Sequence, residues 1–347
     1  MSPGIAKLLM HMMTLPHSTP RAPACAMVLT RTGLPLLGRV ATVGLLACVS
    51  AACVTISVHA APATPQPSAN PLIVAHRGGT GDMPENTLPA FASALENGAD
   101  ALWMTVQITR DGVPVMYRPA DLAALTDGRG KVNALDYAEL RTLNAGYAFT
   151  RKGADGAPVY PFRDHPVAIP TLREAIAAVP PSVPILLDMK QAPAAPLVEA
   201  VAKVLDDTGA WPRTRLYSTD AEATDRMRVR RPQAQLFESR DATRNRLVGV
   251  ALGGACLSPP APGTWAGIEF ERQVEVVEHF TLGQGVSKVD AHWWTPAAVQ
   301  CFKSQGGVHI VAFGVETPQA YDAAARLGID AVMTDSPSRL KEALKQR

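Results

Sequence analysis

Three short stretches place chemically able residues at the ends of apolar runs: His76-Arg77 after "LIVA", Tyr117-Arg118 after "VPVM", and Asp188 with Lys190 in "ILLDMK". Histidine takes up and gives back protons near neutral pH, while guanidinium and ammonium groups bind anionic oxygens. Tyrosine, with a free pKa near 10, is a poor base at neutral pH but a proton donor. Together they suit proton transfer on a phosphate-like anion. Trp103 and Thr105 occupy alternate positions of "ALWMTVQI"; indole offers no oxygen ligand and threonine one weak neutral oxygen. Two further pairs share strand faces, Glu269 with Glu271 in "GIEFER" and Asp290 with His292 in "VDAHWW". If both strands ended together, these four would form a metal site; otherwise they are rim ion pairs.

The elements carrying these residues alternate strand and helix. "PLIVAHRG" reads as a strand. "PENTLPAFASALENG" reads as a helix, opened by Pro84 and Asn86 and stopped by Gly98. "ALWMTVQIT" and "GVPVMY" are strands around the turn Asp111-Gly112, and "VPILLDMK" precedes a helix ending at Gly209. Strand and helix alternate to the C-terminus through "RLYSTD", "AQLFES", "WAGIEFE", "HIVAFGVE" and "DAVMTDSP". Apolar strands between amphipathic helices imply a covered parallel sheet. About eight such units fit residues 71–347, the span of a (β/α)8 TIM barrel. A doubly wound sheet would carry a glycine-rich phosphate loop, and "HRGGTGDMPEN" lacks that spacing. In a barrel, polar residues at the C-terminal strand ends form the site. That rule selects His76-Arg77, Trp103-Thr105, Tyr117-Arg118, Asp188-Lys190, Ser218, Glu269-Glu271 and Asp335.

In order, "AHRGGTGDMPENTLPAFASALENGAD", "DGVPVMYRPADLAALTDGRGKV", "IPTLREAIAAVP", "PILLDMK" and "GIDAVMTDSP" make residues 72–340 resemble the glycerophosphodiester phosphodiesterase family. The resemblance implies metal-assisted hydrolysis of a phosphodiester by two histidines, with a calcium or magnesium ion on three carboxylates. His76 falls on the family's first catalytic histidine, Arg77 on its phosphate-binding arginine, and Glu85 on the acid of its PENT block. Its Glu-x-Asp pair falls on Trp103 and Thr105, its second histidine with the following Asp on Tyr117 and Arg118, and its third carboxylate on Asp188, with Lys190 kept. Two of three ligands are thus replaced, and no cation is expected at the family site.

Each replacement has a functional and a structural reading. Tyr117 is a substitute proton donor or an aromatic wall. Arg118 stands in for the metal's charge or pairs with Asp121 or Asp188. Arg77 clamps an anion or pairs with Glu85 or Asp188. Asp188 is a ligand or the partner of Lys190. Trp103 packs, and Asp335 caps the helix that follows it. The stretch 146–168, with Tyr147, Phe149, Tyr160 and Phe162, is a long loop that covers the site or is a plain insertion.

The formal charge of +2 hides an asymmetry. Residues 1–60 hold Lys7, Arg21, Arg31 and Arg39 and no acid, leaving 29 basic against 31 acidic residues. Such a balance excludes a nucleic-acid footprint. Residues 1–60 read as a targeting segment, with cleavage after Ala60 the expectation. Lipidation at Cys48 and retention of Ala41–Val58 as a membrane tether are the alternatives. A linker, 61–70, precedes the barrel domain, 71–347. Only Cys256 and Cys301 lie beyond the targeting segment, as a disulfide or as two buried thiols. The expectation is an exported, periplasmic or secreted phosphoric diester hydrolase acting on a small-molecule phosphodiester. A catalytically impaired barrel that binds a phosphate-bearing ligand is the alternative, and a purely structural envelope protein is the third reading.

Overall fold

A computed structural model describes residues 70–346. The expectations for the targeting segment and for most of the linker fall outside these residues.

Eight strands form the barrel: β1 (Leu72–His76), β2 (Ala101–Ile108), β3 (Ile185–Met189), β4 (Thr214–Tyr217), β5 (Gln235–Leu236), β6 (Trp265–Glu269), β7 (His309–Phe313) and β8 (Ala331–Thr334). They pair in parallel in the order β5-β4-β3-β2-β1-β8-β7-β6. A parallel bridge between Phe237 and Trp265, with Glu238 N donating to Trp265 O at 2.8 Å, joins β5 to β6 and brings the ring to closure. The helices that cover it are α1 (Leu88–Glu96), α2 (Leu172–Ala178), α3 (Ala194–Thr208), α4 (Ala221–Arg230), α5 (Arg240–Gly253), α6 (Pro296–Lys303), α7 (Pro318–Leu327) and α8 (Pro337–Lys345). The fold is the expected (β/α)8 barrel.

Local chemistry sets the helix starts. Thr87, Thr171, Ser239, Thr295, Thr317 and Ser336 cap their helices by accepting backbone N–H groups, and proline opens α1, α6, α7 and α8. Asp335 is therefore not the cap of the last helix, as its sequence position suggested; Ser336 takes that place and frees the carboxylate. Gly209 ends α3 with φ 63°, as read from the sequence.

Strand alternation sorts the side chains. Leu102, Met104 and Val106 of β2 face the helices, while Ala101 and Trp103 point inward with Val74, Leu186, Tyr217, Phe237, Val311 and Phe313. The interior is aromatic. Trp103 lies 5.0 Å from Tyr217, 5.2 Å from Phe313 and 6.1 Å from Phe237 between ring centroids. Gly267 makes room for this layer, since a Cβ there would sit 2.5 Å from Phe313 Cζ.

Two excursions leave the barrel. Residues 109–171, between β2 and α2, carry a strand (Pro114–Met116) antiparallel to β2 and a core of their own around Tyr117, Leu122, Val132, Leu140 and Ile169. Within them 146–168 is partly ordered as a small hairpin, Arg151–Lys152 with Pro158–Val159. Arg151 donates to Asp82 O at 2.7 Å, so this stretch rests on the loop that follows β1. The second excursion, Glu271–Phe280 with Gly283–His292, is a long exposed hairpin; Asp290 and His292 do share one of its strands, but Glu271 opens the other, separate from the strand that ends at Glu269. Cys256 and Cys301 form a disulfide that ties the segment after α5 to α6.

Candidate active site

The C-terminal end of β1 turns sharply. Arg77 and Asn86 both adopt left-handed backbone conformations, φ 52° and 58°, which cost a non-glycine residue about 1–2 kcal/mol each. Gly79 N and Asn86 N close the turn on the carbonyls of His76 and Arg77 at 2.9 and 2.8 Å. Asn86 Oδ1 accepts Thr105 N at 2.9 Å and pins the loop to β2.

This strained loop presents His76 and Arg77. His76 Nδ1 lies 2.5 Å from Asp335 Oδ1, across the β1–β8 seam. Glu316 anchors the segment behind it, accepting Asp335 N and Thr334 Oγ1, each at 2.7 Å. The hydrogen bond from His76 holds the Asp335 carboxyl below the usual carboxylate range, against the opposing effect of burial. Arg77 Nη1 pairs with Glu85 Oε2 at 2.5 Å, both side chains largely buried.

Asp188 ends β3 beside Thr105 of β2. It is buried, and burial pushes its carboxyl up, opposed by Lys190, Arg77 and His76. Lys190 Nζ lies 3.1 Å from Asp188 Oδ1, an ion contact without hydrogen-bond alignment, and donates to Thr219 Oγ1 at 2.9 Å. His76, Arg77, Glu85, Asp188 and Lys190 are thus one group at the barrel mouth. Arg77 Nε, Glu85 Oε1, Asn86 Nδ2, Thr105 Oγ1 and Asp188 Oδ1 are buried there without a hydrogen-bond partner, five of eight such atoms among the described residues. Native interiors leave few polar atoms in that condition, and functional sites are where they gather.

Two members of the mouth, Tyr217 and Arg240, are not among the sequence candidates; Asp335 is one, as a polar residue at a strand end, although its reading as a cap fails. Tyr217 follows Asp188 in strand register, with Lys190 Nζ 5.7 Å from its ring. Its phenol is pushed up to about 12, chiefly by burial, with Arg240 opposing. Arg240 opens α5 and pairs with Glu269 at the end of β6. Barrel closure supplies the signal that was missing, since it sets these late strands beside the early ones. The cations are matched by acids, Arg77 by Glu85, Lys190 by Asp188 and Arg240 by Glu269, so the mouth is balanced rather than basic.

Other sequence candidates lie elsewhere. Tyr117 is buried in the excursion core, its hydroxyl donating to the carbonyls of Asp121 and Leu122 at 3.1 Å each; burial raises its pKa far above normal, with the Glu85 charge adding to the effect. Arg118 is exposed and makes no ion pair with Asp121 or Asp188. Glu269 is the exception: it is at the mouth, engaged by Arg240. Glu271 faces His292 at 3.4 Å, and Asp290 takes Gln273 at 3.2 Å on the outer hairpin.

A divalent cation does not fit the residues at the family position. Trp103 brings no oxygen, Thr105 a neutral hydroxyl, and Asp188 is already matched by Lys190. Among the described residues no three His, Cys, Asp or Glu side chains gather as ligands elsewhere.

Comparison with known proteins gives the family and the fold. A sequence model of the Glycerophosphoryl diester phosphodiesterase family matches residues 76–339. An uncharacterized protein of Mycobacterium tuberculosis (strain ATCC 25618 / H37Rv) is 50% identical over 268 residues, 77% of this chain and 88% of that protein. The solved glycerophosphoryl diester phosphodiesterase domain of an uncharacterized protein from Mycobacterium tuberculosis superposes with a TM-score of 0.73 and 47% identity, covering 79% of this chain and 99% of that one. A solved Oleispira antarctica phosphodiesterase, in complex with the product sn-glycerol-3-phosphate, shares the fold at a TM-score of 0.58 and 21% identity, covering 80% of this chain and 97% of its own.

Proposed function

The chain belongs to the glycerophosphoryl diester phosphodiesterase family, and from that premise we propose that its barrel mouth hydrolyses a glycerophosphodiester or related small phosphodiester to an alcohol and a phosphomonoester. The observation that carries this reading is the Asp335–His76 pair beside Arg77 and Lys190. Asp335, accepting at Nδ1, fixes the tautomer that leaves His76 Nε2 free to exchange a proton. Water oxygen bonds to phosphorus as its proton passes to Nε2. The P–O bond to the alcohol then breaks, and the alkoxide takes a proton back from Nε2. Proton transfer by one positioned side chain contributes about a hundredfold to ten-thousandfold. Arg77, set by Glu85, and Lys190 face the phosphate oxygens, where charge grows in the transition state. The unpartnered polar atoms of the mouth support a polar guest.

The replaced carboxylates Trp103 and Thr105 favour a second reading, a barrel that keeps a phosphate grip without turnover. Export to an oxidising compartment is part of the proposal and rests on the Cys256–Cys301 disulfide and the N-terminal sequence pattern.

The test is hydrolysis of a glycerophosphodiester panel and a chromogenic diester, with EDTA and with added calcium or magnesium. His76→Ala should abolish turnover and leave affinity within a modest factor. No turnover in any condition, together with clean phosphodiester binding, would establish the second reading.

A further inference from the structure

The hairpin of Glu271–Phe280 and Gly283–His292 leaves the barrel just after β6, on the rim of the mouth. Ten residues per strand make it about 33 Å long. Its polarity changes along its length. Below the tip the hairpin carries Glu271, Arg272, Glu275, Glu278, Lys288 and Asp290; residues 279–287 carry no Lys, Arg, Asp or Glu, although Glu278 is the register partner of Gly285. Apolar side chains at that end point both ways. Val277 and Val286 are register partners on one face below the tip, Val276 and Phe280 lie on the other with Glu278 between them, and Leu282 sits in the turn. Leu282 is 99% exposed and Phe280 62%, and the three valines are about half-exposed.

Which surface would cover them follows from geometry. A partner laid against one face leaves the apolar residues of the other in water. One face also offers only about 330 Å², from two strands about 5 Å apart, against about 800 Å² per partner in a stable complex. End-on immersion down to that turn needs only its own apolar residues, Phe280 and Leu282, and leaves the valines further down at the water side. The Glu278–Gly285 step lies about 7 Å below Phe280, which limits the depth to the headgroup–acyl boundary, where water still reaches the ribbon's free backbone edges.

We propose that the tip of this hairpin, centred on Phe280 and Leu282, inserts into a lipid surface and turns the barrel mouth toward it. The hairpin is net acidic, so the insertion is apolar in origin and does not need anionic lipid. The surface is independent of turnover, so its failure and the failure of the hydrolysis reading are separate results.

The experiment places a reporter on the tip. Full-length chain carrying Leu282→Trp is mixed with phosphatidylcholine vesicles, plain and brominated in the acyl chains, and the difference from the unaltered chain is read. A blue shift and bromine quenching specific to the added tryptophan are expected. Adding Phe280→Glu should weaken that response about tenfold or more, since a buried aromatic side chain becomes a charge. Attachment through any other part of the chain does not immerse the reporter. Emission unchanged by vesicles overturns the proposal. So does a blue shift that grows with protein concentration and no lipid, which would place a second copy on the tip.

Discussion

Asp335 Oδ1 and His76 Nδ1 stand 2.5 Å apart although 259 residues separate them. The contact exists because β8 pairs with β1 in parallel and brings both C-terminal ends to the same rim. It converts a lone histidine into an oriented one. Asp335→Asn should leave the fold intact and lower kcat about a hundredfold to ten-thousandfold, read by steady-state hydrolysis.

The same pair predicts a pH effect on stability. The hydrogen bond from His76 depresses the folded pKa of Asp335. Its contribution is complete above the unfolded value of about 4 and is lost as pH falls through the lower folded value. Melting curves of the unaltered chain and Asp335→Asn should therefore differ at pH 6 and converge as the pH falls below the unfolded value and through the lower folded one. A difference that grows in acid would have the wrong sign.

Tyr117→Phe separates two roles. Its hydroxyl binds carbonyls inside the excursion, and Leu122 O keeps Thr126 as a donor. The expected outcome is a loss of about 1 kcal/mol in urea denaturation with kcat within a few-fold of normal. Collapse of kcat with unchanged stability would restore Tyr117 as the proton donor.

Gly267→Ala tests the interior. The added methyl meets the Phe313 ring at 2.5 Å in a layer already filled by Trp103, Tyr217 and Phe237. Overpacking should cost about 1–3 kcal/mol. A simultaneous Phe313→Leu should recover part of that loss.

Reduction of Cys256–Cys301 opens a loop with a sequence separation of 45. Chain entropy puts the loss near about 4 kcal/mol, and the melting temperature should fall accordingly under dithiothreitol. Serine at both positions should reproduce the reduced protein and be insensitive to reductant.

The barrel was legible because its signals are local. Apolar runs such as "PILLDMK" must be buried on both faces, capping residues start the helices, and Gly209 stops one. The residues His76, Arg77, Asp188 and Lys190 were legible for the same reason, since each ends such a run. Their partners were less so. Arg77 could pair with Glu85 or Asp188 by sequence, and packing gave it Glu85. Arg118 had two candidate acids and took neither. Tyr117 ends a strand too, but that strand runs antiparallel to β2 outside the barrel order, so its side chain serves the excursion's core. Of the hairpin after β6 only the strand around Asp290 and His292 was legible, because the alternation elsewhere is broken by paired valines and the surface is never buried.

By itself the sequence determined the class of fold, the family, and which early residues stand at the strand ends, because periodicity and capping act within a few residues. Only the tertiary structure decided that Asp335 meets His76, that Tyr217 and Arg240 join Glu269 at the mouth, and that Trp103 fills the interior. Those contacts depend on ring closure and shear, which join strands hundreds of residues apart, and no local pattern encodes that distance.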